Sequence, residues 1–243
     1  MALFKGFFAG NVLFYPGCLT KFVGKDIEAN YKQILSKVGV EFIMLKDLEV
    51  CCGSPVMNSG HFDEATDLAK KNLAVFKEHS VQKIITACPA CYKMFSKEYP
   101  RMLKSWDIEV EHITQIIEKA IKSGKYKPAK KDFVVTYHDP CHLGRHCGIY
   151  DSPREIIKST GANLKEMRLN KEMAFCCGAG SGVKSNYPEL ANSAGKERIK
   201  MAKETKAKCL VTTCPMCFYN LKENSEDLEV MELSEFLEGG KNG

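Results

Sequence analysis

The stretch KIITACPAC at residues 83–91 returns as CLVTTCPMC at residues 209–217. In each copy a short apolar run of strand character ends in Cys-Pro-x-Cys. Working outward, each Cys-x-x-Cys is preceded by an adjacent pair, Cys51 and Cys52 in CCGSP and Cys176 and Cys177 in CCGAG. Each pair is preceded in turn by a lone cysteine, Cys18 and Cys141. The spacings agree to within two residues. Cys51 follows Cys18 by 33 positions and Cys176 follows Cys141 by 35, while Cys88 follows Cys52 by 36 and Cys214 follows Cys177 by 37. Self-similarity on this scale marks a duplicated unit. It absorbs ten of the twelve cysteines.

Both halves repeat one order of elements around these cysteines. The first reads as a strand over 12–15, a helix over 26–38, a strand over 40–45, an amphipathic helix over 62–79 and a strand over 83–87 that delivers CPAC. The second reads as a strand over 133–137, a helix from Pro153, a strand near 164–167, a helix over 187–207 and a strand over 209–213 that delivers CPMC. Strands alternating with helices predict an α/β fold of two pseudo-equivalent βαβ lobes with mainly parallel sheets, each carrying one Cys-Cys-Gly motif. We expect lobes over 1–122 and 132–243 joined by the linker SGKYKPAKK, residues 123–131, where Gly, Pro and a Lys run break the periodicity. A chain of 243 residues can bury one large core or two of about 120 residues each, and the duplication favours two. Ligands of open parallel sheets gather beyond the carboxyl ends of the strands, where the lone Cys and the Cys-x-x-Cys of each half are expected.

The 35 basic residues barely exceed the 30 acidic ones, and much of the positive charge is Lys interleaved with Glu, as in GKERIKMAKETKAK at 195–208. That pattern reads as a solvated helix face and not as a nucleic-acid surface. No stretch approaches the ~20 apolar residues needed to span a bilayer. The opening MALFKGFFAGNVLF has some signal-peptide character, but it lacks a small-residue cleavage site and leads straight into YPGC, so it reads as a segment running into the first strand. Secreted disulfide scaffolds are usually shorter than about 100 residues and lack such regular patterning, so the cysteines point to a reducing, cytosolic setting. Gly178, Gly180 and Gly182 follow a cysteine pair in G-x-G-x-G spacing without an acidic partner, which argues against a dinucleotide site.

Three chemistries can use the doubled cysteine set. Zinc takes Cys-x-x-Cys pairs readily, but CPAC and CPMC lie 126 residues apart, and each half offers five thiols where a structural zinc needs four. Adjacent cysteines are easier to use when each reaches a different metal, which favours a multi-iron assembly; disulfides are the third option. The ferredoxin run C-x2-C-x2-C-x3-C-P is missing from the sequence. The Pro after Cys88 and after Cys214 can start a helix whose free amides face a negative cluster, and Gly53 and Gly178 permit a positive φ or a close backbone approach. Cys147 and Cys209 fall outside both sets and read as small buried hydrophobes. His138, His142 and His146 bracket Cys141 and are candidates to polarise cluster sulfur, donate a proton or cap a turn. Arg145 and Arg154 could meet an anionic substrate or form structural ion pairs. Trp106 reads as packing.

Through these residues the chain resembles the cysteine-rich CCG-domain family. Its members include heterodisulfide reductase subunits of methanogens, the C subunit of anaerobic glycerol-3-phosphate dehydrogenase, and iron–sulfur subunits of lactate or glycolate oxidation. The resemblance spans nearly the whole chain and rests on both full cysteine sets, on HDPCHLGRHCGIYDSPR and on CCGAGSGV. Those segments look especially like the B and D types of heterodisulfide reductase subunit. It implies that Cys18, Cys51, Cys52, Cys88 and Cys91 hold one noncubane [4Fe–4S] cluster, and Cys141, Cys176, Cys177, Cys214 and Cys217 another, both facing a pocket where a small disulfide is reduced. Ferredoxin-like or flavoprotein subunits would be the electron-transfer partners, with any membrane association through a partner. Two other expectations stand beside it: a relay subunit taking electrons from lactate, glycolate or glycerol-3-phosphate oxidation, and a zinc-stabilised interaction module.

Overall fold

The computed structural model describes residues 10–238; the reading of residues 1–9 as a lead-in segment lies outside the described residues. The first half runs β1 (Asn11–Tyr15), α1 (Cys18–Phe22), α2 (Lys25–Lys37), α3 (Ser54–Asn58), α4 (Phe62–Glu78), β2 (Val81–Thr86) and α5 (Pro89–Lys93). A π-helical turn (Met94–Glu98), α6 (Tyr99–Met102), β3 (Glu109–His112) and α7 (Ile113–Lys122) complete it. The second half runs β4 (Val134–His138), α8 (Asp151–Ser159), β5 (Asn163–Leu164), α9 (Val183–Asn186), α10 (Pro188–Glu204), β6 (Cys209–Thr212), α11 (Pro215–Glu223), β7 (Glu229–Glu232) and α12 (Leu233–Glu238). Two sheets result, β1-β2-β3 and β5-β4-β6-β7, with every pairing parallel. The α/β fold of two parallel-sheet units is therefore the one the alternation predicts.

The strands are apolar on both sides because both faces are covered. Along β1, Leu13 and Tyr15 pack with Phe76, Phe95 and Tyr99 on one side, while Phe14 faces α2 and α7 on the other. On that second face α2 presents Ile27, Tyr31, Ile34 and Leu35, a helical stripe, and α7 presents Ile113, Ile116, Ile117 and Ala120. The second half supplies Ile156 and Ile157 from α8 and Leu233, Phe236 and Leu237 from α12 to the same cluster. The partners are exchanged, since α7 packs on α8 and α12 packs on α2. The four helices thus form one layer between the two sheets. Instead of two separate cores, one core crosses the junction, and a smaller one lies on the far side of the first sheet. Trp106 belongs to the smaller core, stacked on Phe95 at 6.1 Å between centroids.

Two differences from the sequence reading have a local cause. The expected strand over 40–45 is a single parallel bridge, Leu13 to Ile43, made by the Phe14 and Ile43 amides at 3.0 and 2.8 Å. Beyond Ile43 the chain leaves the sheet edge through a 3₁₀ turn, Lys46–Leu48, on its way to Cys51. Its counterpart β5 is only two residues long. The pairs β3–α7 and β7–α12, absent from the sequence reading, carry a repeated capping arrangement. The His112 amide donates to Gln115 Oε1 at 2.9 Å and the Glu232 amide to Glu235 Oε2 at 3.1 Å, while Thr114 N and Ser234 N donate back to the His112 and Glu232 side chains.

Each Cys-Cys-Gly turn closes through a left-handed glycine, Gly53 at φ 85° and Gly178 at φ 90°. Their surroundings differ. A Cβ at Gly53 would stay 3.6 Å from its nearest neighbour, whereas one at Gly178 would meet Ala194 Cβ at 2.6 Å and Ala191 O at 2.9 Å. Gly53→Ala is therefore expected to cost only the left-handed strain, about 1–2 kcal/mol, and Gly178→Ala clearly more, as read from anaerobic urea unfolding. Equal losses would show that α10 moves aside freely. At the junction, the Tyr31 hydroxyl donates to buried Glu232 at 2.6 Å, linking α2 to β7. Tyr31→Phe removes one donor from that carboxylate and should lower stability by about 1–3 kcal/mol in the same assay.

Candidate metal centres

In both halves two neighbouring strands end level with each other, Tyr15 opposite Thr86 and His138 opposite Thr212. Cys18 and Cys88 follow the first pair of ends, Cys141 and Cys214 the second. Pro89 and Pro215 open helices directly after Cys88 and Cys214, as the sequence suggests. The Cys-Cys-Gly turns enter from the side, each held by an amide side chain. Asn72 Nδ2 donates to Cys51 O at 3.1 Å and the Tyr99 hydroxyl to Cys52 O at 3.2 Å, while Asn220 Nδ2 donates to Cys177 O at 2.7 Å.

These constraints bring each set of five thiols together. In the first, contact runs from Cys18 to Cys51 to Cys52 to Cys91 to Cys88; in the second, from Cys141 to Cys176 to Cys177 to Cys217 to Cys214. The thiols of Cys18 and Cys52 donate to Cys51, and with the Gly53 amide at 3.4 Å they hold the Cys51 thiol far below its usual range. Cys176 is held down in the same way by Cys141, Cys177 and the Gly178 amide. Their donors are pushed up because they share hydrogens with those thiolates: Cys18, Cys52, Cys141 and Cys177 all titrate above the normal thiol. Five sulfurs this close can all be anionic only against several positive charges. All twelve cysteines are free, so the disulfide option has no pair here.

The remaining sequence candidates separate cleanly. Cys209 is fully buried on β6 and Cys147 half-buried, both outside the thiol sets and both pushed up by burial, to about 12 and about 11. Arg154 is a structural ion pair, bidentate to Asp139 at 2.7 and 2.9 Å and to Glu166 at 2.7 and 2.9 Å. Arg145 is tied to the Ala174 carbonyl at 2.6 Å. His142 Nδ1 lies 3.4 Å from Cys141 Sγ, its ring 5.0 Å from that of His146. Burial holds His142 down at about 4 and lowers His146 as well. His138 is buried, with one ring nitrogen and the Cys177 and Cys217 sulfurs all within 4.8 Å of one another.

The stretch 195–208 is not wholly a solvated face, for Arg198 is 0% exposed and is the largest fully buried side chain of the described residues. It falls on the apolar stripe of α10 with Ala191, Gly195, Ile199 and Ala202, the signal that could have singled it out. Its Nε–H donates to His138 Nδ1 at 3.0 Å and its NH1 to the Leu169 carbonyl at 2.8 Å. His138 Nε2 and Arg198 NH2 are buried with no partner among the described residues. Two orphaned donors beside a thiol cage fit an anionic group held by that cage.

Both cages lie at the junction of the halves. α1, which begins at Cys18, packs on α11, and a Cβ at Gly24 would meet Tyr219 Oη at 3.1 Å. Reciprocally, Lys93 of α5 lies within electrostatic reach of His142 and His146, and Tyr92 of Cys147. The lone-cysteine segment of each half therefore sits against the Cys-x-x-Cys helix of the other.

The chain is 38% identical over 225 residues to the D subunit of the dihydromethanophenazine:CoB–CoM heterodisulfide reductase of Methanosarcina acetivorans, covering 90% of this chain and 55% of that protein. It is 37% identical over 214 residues to an uncharacterised iron–sulfur protein of Methanocaldococcus jannaschii, covering 88% of this chain and 41% of that one. It is 35% identical over 242 residues to the EtfAB:quinone oxidoreductase of Syntrophomonas wolfei, covering 93% of this chain and 34% of that one. The chain thus spans about half or less of the length of these relatives. The CCG cysteine-rich domain matches twice, over residues 12–96 and 135–222, each match containing one complete thiol cage, and the chain belongs to that family.

Proposed function

We propose that this chain is the iron–sulfur redox subunit of a heterodisulfide reductase-type oxidoreductase. Cys18, Cys51, Cys52, Cys88 and Cys91 would hold one noncubane [4Fe–4S] cluster, and Cys141, Cys176, Cys177, Cys214 and Cys217 the other. One observation carries the reading: a five-thiol cage occurs twice, with each lone-cysteine segment packed against the other half's Cys-x-x-Cys helix. Five sulfurs exceed the four ligands of a structural zinc, and vicinal thiols suit ligation of different irons. When bound, such clusters supply electrons one at a time next to thiolate-stabilising iron.

The chain's own residues set the stage for that chemistry. Asn72, Tyr99 and Asn220 fix the vicinal turns, and the Gly53 and Gly178 amides stabilise negative sulfur. A small disulfide taken into the junction would accept two electrons and two protons and leave as two thiols. The electrons would come from a ferredoxin-like or flavoprotein partner subunit in a larger complex. Free thiols in this number suit a reducing, cytoplasmic setting, with any membrane attachment through a partner. Among the described residues no helix is long and apolar enough to cross a membrane. Similarity to the EtfAB:quinone oxidoreductase favours a second reading, in which the chain relays electrons without breaking a bond.

Anaerobic purification should yield two iron–sulfur clusters per chain with matching sulfide; about one zinc and negligible iron would end the reading in favour of a zinc module. Cys52→Ala and Cys177→Ala should each lose about half of the iron, and Cys209→Ala none. Offered a small mixed disulfide and a strong one-electron donor, the cluster-replete complex should reduce it, with turnover abolished in either single-cluster variant. A complex that reduces no disulfide yet carries electrons from a dehydrogenase would establish the relay. NADH, with no other protein present, should leave the clusters oxidised.

A further inference from the structure

The two cages match in their thiols and differ just behind them. β1 ends in Tyr15 where β4 ends in His138, and the eleventh residue of α4 is Asn72 where that of α10 is Arg198. In the first half the Tyr15 hydroxyl is spent on Val50 O at 2.7 Å, and Asn72 Nδ2 on Cys51 O and the Tyr99 hydroxyl at 3.1 and 2.9 Å. In the second half the guanidinium fixes the imidazole. A guanidinium is always a donor, so its 3.0 Å bond makes Nδ1 the acceptor and puts the ring proton on Nε2. The flipped ring would turn a carbon toward Arg198 Nε. This also removes His138 from the possible metal ligands, because Nδ1 is occupied and Nε2 carries hydrogen.

Arg198 is fully buried and makes no ion pair among the described residues. Asp139 lies within electrostatic reach, but it is already held by Arg154. Cys217 and Cys177 also lie within electrostatic reach of the guanidinium. A buried cation and an unpartnered N–H on a ring that lies beside the same cage call for an anion there.

Resting on the reading that both cages hold clusters, we propose that the second cage, Cys141 to Cys217, carries the more easily reduced of the two centres, with the His138 Nε2–H donated to its sulfur and Arg198 as the positioning residue. Hydrogen bonds to sulfur and nearby positive charge both favour the reduced, more negative cluster. The first cage has no charged group in the corresponding place. Thr20, two residues beyond Cys18, offers an unpartnered hydroxyl without charge behind it, and exposed Cys18 admits solvent, which acts in the opposite direction. Substitutions at His138 isolate the effect because they leave solvent access at Cys18 unchanged. An electron entering at the first centre would then pass to the second.

The test is an anaerobic redox titration of the full chain, with partner subunits where they co-purify, followed by electron paramagnetic resonance. Cys52→Ala and Cys177→Ala assign each signal to its cage. The wild type should reduce the second centre first. His138→Phe should lower that midpoint by at least tenfold in the one-electron equilibrium constant, about 60 mV, and His138→Gln, which keeps an N–H, by less. Arg198→Met should shift the same midpoint downward, while Tyr15→Phe shifts neither. Nitrogen-15 histidine labelling should give only weak coupling to the cluster. An iron-replete protein whose midpoints ignore both His138 variants overturns this inference, as does strong coupling from a directly ligated imidazole. Absence of iron from the wild type would instead defeat the cluster reading itself. If His138→Phe loses iron, the His138→Gln and Arg198→Met midpoints decide.

Discussion

A parallel sheet has two apolar faces, and this one fold meets that demand by exchange. Phe14 and Ile85 of the first sheet, and Val135 and Tyr137 of the second, look inward at a helix layer that neither half completes by itself. Because α7 packs on α8 and α12 on α2, the halves are fixed in a pseudo-twofold relation. The carboxyl ends of β1, β2, β4 and β6 are carried with them, and so the cysteines that follow those ends meet at the junction. The position of the sites is thus a consequence of core packing.

How much of this the sequence disclosed depends on what kind of signal each part leaves. Cysteine spacing survives as a literal repeat and disclosed both thiol sets, while the alternation of strands with helices disclosed the parallel α/β fold. Long helices such as α4 and α10 showed through their periodicity. The elements that lock the halves together did not, because β3 and β7 are four residues long and carry glutamate among their few positions. Their repeat, EVEHITQI against EVMELSEF, was visible in principle as a capping box at matching places. The segment 40–45 failed for the opposite reason. Its apolar residues pack on the core from a sheet edge, so burial mimicked a strand that hydrogen bonding does not extend.

Charge misled where shape did not. Arg198 stands among lysines and glutamates, and composition alone assigns it to water. Its place in the 3–4 spacing of Ala191, Gly195, Ile199 and Ala202 assigns it to the interior. Which assignment holds depends on whether something inside compensates the charge, and no local pattern carries that information. His138 is similar: its nearness to Cys177 and Cys217 arises from strands β4 and β6 lying side by side, a pairing between residues more than 70 positions apart.

The duplication therefore has two tiers. Thiols, turn glycines and helix-opening prolines recur in both halves, because a cage of five sulfurs tolerates little variation in their placement. The residues one layer out, Tyr15 against His138 and Asn72 against Arg198, share backbone positions yet differ in charge and donor capacity. In the second half a change at that layer alters the field the sulfurs experience without touching the bonds that hold the Cys176–Cys177 turn, which Asn220 supplies, whereas in the first half Asn72 itself holds the turn at Cys51. Two copies of one site can in this way keep the same chemistry and acquire unequal roles, with the asymmetry residing in the side chains of a histidine and an arginine just behind the sulfurs.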